Sequence, residues 1–397
     1  MKKYLPIILG ADENAYGCAR QFYEIDGTRS VLLCTRPLSA TDHSSILYRY
    51  VVKDLDRPSV FAVTLLKTVR DAKALAEKVL VIPCSDYYAR LLSDNKGVLS
   101  KWIDSPILSE EVFERINGKV KFSKLCNEIG LPHPKTVIGT PSELLHAEIE
   151  LAYPIVLKPA NSNSFEYLHL GLDGKKKVYF CKDRASLSRA LEGMITSGYG
   201  ENVVLQRYIG GDERQYRVVN SYSDKNGRVR LIGVGRPLFE YRDERMTGNY
   251  AAVRCMIDKS LCDAVKDALE KIGYVGFANF DVKIDPESGE YIFLELNPRQ
   301  GRSSYYMSGM RAGLMRELYE DTVLGKPYGG VKYAEGDAIW VGEPISALRG
   351  AMKRKGLDAD ELKKAKLFSA IGLTFDMSLP RAATVIRRYA GAVKRGI

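Results

Sequence analysis

Residues Gly276 to Arg302, GFANFDVKIDPESGEYIFLELNPRQGR, restrict the fold of this 397-residue chain more than any other stretch. Two apolar-rich runs, Phe277 to Asp285 and Glu290 to Leu296, flank Pro286-Glu287-Ser288-Gly289 and predict a β-hairpin with a loop of about five residues. With the loop centred on Ser288, Asp281 falls directly opposite Glu295, and Asn297, two residues further on, shares the face of Glu295. Three oxygen-bearing side chains then converge, followed at once by Arg299 and Arg302. Mg²⁺ takes one or two carboxylates plus phosphate oxygens, so acids beside guanidinium groups suit a metal and polyphosphate site.

The length suggests two or three domains. With 45% apolar and 27% charged residues and no run of about 18 uncharged apolar residues, a disordered chain and a membrane-spanning helix are excluded. The opening MKKYLPIILGADENAYG has too short an apolar run for a secretory signal, so the expected compartment is the cytoplasm. Seven cysteines without C-x-x-C spacing fit reduced thiols better than disulfides or zinc. The four histidines are isolated, which leaves a Ser-His-Asp hydrolase without support. The net charge of +10 implies anionic company, and the last 67 residues hold 13 Lys and Arg against 7 Asp and Glu. No aromatic-plus-basic RNA motif is present, so nucleic acid is not an expected partner.

Leu5 to Gly10, Ser30 to Cys34 and Val79 to Pro83 read as strands, with a helix from Asn14 to Ile25, and this alternation predicts an open parallel sheet over residues 1–105. Gly10 to Gly17 lacks the G-x-G-x-x-G pattern, and Asp12 and Glu13 would repel a pyrophosphate, so the turn is expected to help bind a substrate. A second block, 106–328, carries a helix capped by Ser109, a helix from Lys119 to Ile129 stopped by Gly130, and a capping box at Thr140 to Glu143. It continues with a strand ending at Lys158, a helix capped by Asp183, the strand Val203 to Ile209, and a hairpin turning at Asn226-Gly227. The pattern is α+β, with subdomains of about 119–205 and 206–328. Residues 329–397 read as a basic helical extension, with helices near Ile345 to Lys355, Asp358 to Phe368 and Pro380 to Arg395. The last one sets Val385, Ile386, Tyr389 and Val393 against Arg381, Arg387, Arg388, Lys394 and Arg395. Such a helix either packs on its own domain with its charges solvated or makes weak contact with an anionic membrane surface, at its inner face here.

These residues, taken in order, resemble the ATP-grasp superfamily. Lys119 and Lys158 look like its two ATP-binding lysines. Gln206, Arg207, Tyr208 and Ile209 look like the hinge against adenine, Gln206 standing where many relatives place a glutamate, and Glu213 looks like the acid that holds ribose. Asp281, Glu295 and Asn297 match the ligands of Mg²⁺ or Mn²⁺, and Arg299 matches the arginine that steadies the acyl phosphate. The resemblance covers about Asn117 to Lys326. The loop from Asn161 to Lys175 departs from it, having Asn, Ser and Phe in place of glycines, and only Ser162 and Ser164 carry over as phosphate contacts.

The implied fold is an ATP-grasp α/β and α+β architecture behind an N-terminal open parallel domain. The implied activity is ATP-dependent ligation of a carboxylate to an amine: the acid becomes an acyl phosphate, and the amine displaces phosphate. Leu-Asn-Pro-Arg before a long basic C-terminal region looks most like the carboxylate-amine ligases that attach D-aspartate to a lysine amine of a peptidoglycan precursor. Arg217, Arg236, Arg299 and Arg302 are the candidate carboxylate holders. Two other readings compete. A biotin-carboxylase-like enzyme lacks support because Asn297-Pro-Arg-Gln-Gly-Arg has no acid and histidine after the arginine. A non-catalytic ATP-binding module with a membrane-docking tail has against it a full set of metal and phosphate ligands.

Overall fold

The computed structural model describes the chain except residues 161–166, 168–169, 173–174, 177, 242–245, 247, 373–375, 377 and 396, and residue 395 in its backbone only. Among the described residues, three sheets carry the architecture. The first is fully parallel, in the order β3-β2-β1-β4, from β1 (Lys2–Leu9), β2 (Ser30–Cys34), β3 (Leu47–Val51) and β4 (Ala76–Pro83). The strand β3 carries no sequence signal because it is an edge strand with only Leu47 buried. Helix α1 (Glu13–Asp26) follows β1 and is capped by Asp12, whose carboxylate accepts from the amide of Ala15. Helix α2 (Asp86–Asp94) follows β4 and is capped by Ser85.

Helix α3 (Lys119–Ile129) runs over the expected residues and stops where Gly130 turns left-handed at φ 74°, a conformation glycine adopts without steric cost. The capping box at Thr140 and Glu143 is formed with both reciprocal bonds. A second, antiparallel sheet, β5-β8-β6-β7, is built from β5 (Thr136–Gly139), β6 (Ile155–Pro159), β7 (Tyr179–Cys181) and β8 (Val203–Arg207). It puts Lys158 and Gln206 on neighbouring strands.

The large sheet runs β13-β12-β9-β10-β11-β15-β16, and β14 pairs with β10. Its strands are β9 (Tyr216–Ser223), β10 (Val229–Glu240), β11 (Tyr250–Met256), β12 (Gly276–Ile284), β13 (Tyr291–Asn297), β14 (Lys332–Tyr333), β15 (Ala338–Val341) and β16 (Lys366–Phe368). One face packs on α3 and on α4 (Lys259–Lys271) through Phe122, Leu125, Val219, Leu261, Val265 and Val282. The other packs toward the parallel sheet through Val218, Tyr222, Tyr306, Phe22 and Ile8.

The tail differs from the helical extension expected for residues 329–397. The helix expected from Asp358 to Phe368 is a short 3₁₀ turn, Ala359–Lys363, followed by β16, which pairs in parallel with β15. Sheet pairing there outweighs local helix propensity, as tertiary context commonly does. The last helix, α5 (Leu379–Arg395), exists as expected, but its basic residues do not all face solvent. Arg381 is 1% exposed and donates to the carbonyl oxygens of Ser39, Ala40 and Asp42 at 3.2, 2.9 and 2.9 Å. Its guanidinium lies 4.6 Å from the Tyr16 ring centroid. Arg388, two turns on, also points inward, toward Glu13 and Glu343. All seven cysteines are buried free thiols. Among the described residues, no helix is long and apolar enough to cross a membrane.

Candidate active site

The hairpin of β12 and β13 places Asp281 opposite Glu295, as its sequence predicts. It does so through a bulge: Val282 pairs with Phe293 and Asp281 with Glu295, so Leu294 is the extra residue. Phe293 and Leu296 stay in the core, while consecutive Leu294 and Glu295 both line one cleft. A bulge re-aims side chains in just this way. Asn297 Nδ2 is 3.4 Å from Asp281 Oδ2, and turning its carboxamide would present oxygen to the same point.

The cleft, about 390 Å³, is bordered by Lys119, Lys158, Asp281 and Glu295, with Val156, Ile209 and Leu294 as apolar lining. Burial, Lys119 as a like charge, and only partial relief from Glu295 push the Lys158 ammonium down to about 8. Burial and the facing Glu295 raise the Asp281 carboxyl to about 7, against the pull of Arg299. Two like-charged pairs, Lys119 with Lys158 and Asp281 with Glu295, thus line the same cleft. That donor set fits a divalent cation beside a polyphosphate, because each member relieves one of the repulsive pairs. Among the described residues, no group of three or more His, Cys, Asp and Glu forms a denser metal site.

Arg299 completes this end. Its Nε lies 2.9 Å from Asp86 Oδ1 at the first turn of α2, and Nη1 donates to the Gln300 carbonyl at 3.1 Å. Burial opposes its charge, but Asp86, Asp281 and Glu295 hold its pKa above the usual arginine range. The turn from Asn297 to Arg302 is braced by Asn220, which accepts from the Gly301 amide at 2.7 Å. A β-carbon at Gly301 would meet Asn279 Oδ1 at 2.4 Å, so any larger residue there requires the Asn279 side chain to move.

The hinge differs in detail from expectation. Gln206 does not leave its oxygen free: Oε1 accepts from Lys158 Nζ at 3.0 Å, and Nε2 donates to Thr136 Oγ1 at 3.2 Å. Strand β8 ends at Arg207, whose guanidinium turns to Asp285 in the hairpin loop. The Tyr208 amide donates to the Pro154 carbonyl at 3.2 Å, and the Ile209 carbonyl accepts from Lys283 Nζ at 2.8 Å. All four residues still border the cleft. Lys283 was not anticipated, although it stands two residues after Asp281 on the same strand face.

Two expected site residues are elsewhere, and a third is engaged by another partner. Glu213 lies near enough to the cleft residues Tyr216, Tyr250 and Lys283 for its charge to act on them, but its carboxylate is paired with Lys355 at 2.7 Å. Arg217 pairs across the ladder with Val282, a core residue of the helix-covered face, and so points away from Asp281. Arg236 bonds Glu361 at 2.6 Å, beside Arg254 on the same carboxylate. Period-two alternation puts Arg217 on the face opposite the acids, which rules it out as a carboxylate holder there. Ser162 and Ser164 lie outside the described residues.

Arg302 lies near but apart from Arg299. Its Nε is 2.5 Å from Glu13 Oε2, and Arg388 of α5 reaches the other oxygen of Glu13. Burial works against the Glu13 anion, yet the two guanidinium groups hold its pKa below the ordinary glutamate value. Arg388, Glu343 and Tyr241 were not anticipated, because they come from the tail and from the end of β10.

No protein-family model matches the chain. It is 35% identical over 352 residues to the D-aspartate ligase of Enterococcus faecium (strain Aus0004), covering 86% of this chain and 83% of that protein. Among solved structures, it is similar to an L-amino acid ligase from Bacillus licheniformis, with TM-score 0.56, 15% identity, and 81% and 75% of the two chains covered. It is also similar to the biotin carboxylase domain of a Hydrogenobacter thermophilus 2-oxoglutarate carboxylase bound to MgADP, with TM-score 0.60, 15% identity, and 82% and 71% covered. These structural likenesses speak to the ATP-grasp fold. Sequence identity across most of both lengths, together with the acid pair and lysine pair in one cleft, shows that the chain belongs to the D-aspartate ligase family of ATP-grasp, ATP-dependent carboxylate-amine ligases.

Proposed function

We propose that this ligase joins the β-carboxylate of D-aspartate to a lysine side-chain amine of a peptidoglycan precursor. The single observation that carries the site assignment is that Lys119, Lys158, Asp281 and Glu295 line one cleft. A carboxylate is a poor electrophile, so it must first be activated. One of its oxygens attacks the γ-phosphorus of ATP, the bond to ADP breaks, and an acyl phosphate forms. The amine nitrogen then attacks the carbonyl carbon, phosphate leaves, and the nitrogen loses a proton.

In this scheme Lys119 and Lys158 hold the phosphates as point charges. Asp281, Glu295 and Asn297 would hold Mg²⁺ or Mn²⁺, which when bound would supply positive charge against the polyphosphate. Arg299, fixed by Asp86, steadies charge developing on the transferred phosphoryl group. Lys158 leaving Gln206 Oε1 for phosphate would free that oxygen for the adenine amine. The three sheets correspond in this reading to an N-terminal domain, a lid over ATP and a catalytic unit extended by the tail strands.

The family relationship to a D-aspartate ligase and the net charge of +10 favour an amino diacid and an anionic acceptor. The reaction would take place in the cytoplasm. The outer face of α5, with Leu379, Ile386 and Val393 exposed at seven-residue spacing beside Arg387 and Lys394, supports weak contact with the inner membrane surface. The test is an ADP-release screen of D- and L-amino acids with and without peptidoglycan precursors, with the amide detected by mass. ADP release that needs D-aspartate and a lysine-bearing precursor is expected; turnover with bicarbonate and no amine would overturn the reading.

A further inference from the structure

The end of β1 in the parallel sheet meets the last helix of the chain at a cluster that none of the nucleotide-binding roles uses. Glu13 stands in the first turn of α1, just past the C-terminal end of β1, where ligands of open parallel sheets bind. Its carboxylate is 10% exposed and takes Arg302 on one oxygen and Arg388 on the other. Arg388 Nη2 also lies 3.5 Å from Glu343 Oε1, which accepts from the Tyr241 hydroxyl at 2.9 Å. The Arg302 guanidinium is 6.0 Å from the Tyr241 ring centroid, and the Arg302 side chain is 30% exposed, so the cluster reaches solvent along that residue. Arg388 Nε is buried without a hydrogen-bond partner among the described residues, leaving a donor to spare.

Resting on the ligase reading, we propose that Glu13, Arg302 and Arg388 form the subsite that grips the amino-acid head of the carboxylate substrate. The α-ammonium is taken by Glu13 and the α-carboxylate by the two guanidinium groups. The position suits this role. Arg302 is three residues from Arg299, and Asn14, next to Glu13, donates to the Gln300 carbonyl at 3.2 Å, the same oxygen that Arg299 Nη1 reaches at 3.1 Å, so the cluster adjoins Arg299. The chemistry suits it as well. A zwitterion can enter a buried ion-pair cluster by exchanging partners, which keeps every charge matched, whereas a lone anion or cation would leave one unpaired. The planar guanidinium favours two-point contact with a carboxylate.

The last helix is built to deliver this residue. Arg381 and Arg388 lie seven apart on one face of α5, and Arg381 is locked onto three backbone carbonyl oxygens of the parallel-sheet domain. The tail therefore takes part in substrate recognition rather than only covering the fold.

The decisive measurement is calorimetric binding of D-aspartate, L-aspartate, D-alanine and succinate to the full chain with MgADP present, paired with ADP-release kinetics. For Arg388→Ala and Glu13→Gln, amino-acid affinity should fall at least tenfold while the MgADP Kd stays within twofold. Arg388→Lys should recover part of the loss. Glu13→Gln should also lose the preference for aspartate over succinate, which lacks the ammonium group. Unchanged amino-acid affinity in both variants overturns the subsite and leaves the ligase reading standing. A wild-type protein that binds no amino acid, or binds succinate as tightly as aspartate, overturns it too. A parallel loss of MgADP and amino-acid binding with a lowered Tm would reduce the cluster to a structural tie and likewise overturn it. Amino-acid binding lost in the variants, with no acid-dependent ADP release in the wild type, would uphold the subsite while removing the ligase reading.

Discussion

Arg299 Nε sits 2.9 Å from Asp86 Oδ1, so the arginine beside the paired acids is aimed by a helix of a different sheet. Arg299→Ala should lower kcat by about a hundredfold or more, as loss of an electrostatic stabiliser does. Asp86→Asn keeps the arginine but loosens its aim, so kcat should fall about tenfold with the KM for ATP unchanged. Steady-state ADP release separates the two; an equal fall for both variants would show that Asp86 does more than orient.

Glu295→Gln should abolish turnover while circular dichroism and Tm stay near those of the parent. Asp281→Asn should abolish turnover and also stabilise the metal-free protein by about 1–3 kcal/mol at pH 8. The sign follows from its carboxyl being raised to about 7. Between about pH 4 and 7 the native state binds more protons than the unfolded chain, so stability falls as pH rises. The cost is complete above pH 7 and absent below about 4. Denaturant melts at pH 4 and 8 check it. Mg²⁺ affinity in the parent should rise from pH 6 to 8, since the proton on Asp281 must leave.

Lys158→Met should weaken ATP binding at least tenfold and, without nucleotide, raise stability by about 1–2 kcal/mol at pH 7. With its ammonium pushed down to about 8, the lysine is charged in both states below pH 8, where the burial cost is fully present. Between about 8 and 10.5 the native state sheds its proton first, and the stability gap between parent and variant closes. Equal melting curves at pH 7, or an unchanged ATP Kd, would remove Lys158 from this role.

Gly301→Ala should destabilise the turn carrying Arg299 and Arg302, because the added carbon meets Asn279 Oδ1 at 2.4 Å. Asn279→Ala in the same chain should restore part of the lost activity by making room. A Gly301→Ala enzyme with parental kcat would show that the turn adjusts freely.

The sequence carried the paired acids, both lysines and the helix caps because each depends on local spacing. The hairpin register survived for a less direct reason. The strands pair Ile284 with Tyr291, so the loop is centred half a residue before Ser288, and the bulge at Leu294 returns Asp281 to Glu295. Arg217 failed for want of parity: its register partner Val282 belongs to the core, which becomes visible only once β9 is known to lie beside β12. Glu213 is claimed by Lys355 from 142 residues away, and no local pattern announces that pairing. The inward arginines of α5 had a signal, since Arg381 and Arg388 flank buried Val385 on one side of the helix. Reading charge as solvent-facing concealed it.

The extra residue in β13 makes two roles separable. Taking out Leu294 would leave Phe293 and Glu295 in plain alternation, with the two acids still opposite each other and one of the greasy side chains of the cleft removed. A chain shortened by that one position should keep its grip on divalent ions but lose discrimination among nucleoside triphosphates. Length variation at this point of the hairpin thus offers a route by which such ligases can change fuel without rebuilding their chemistry.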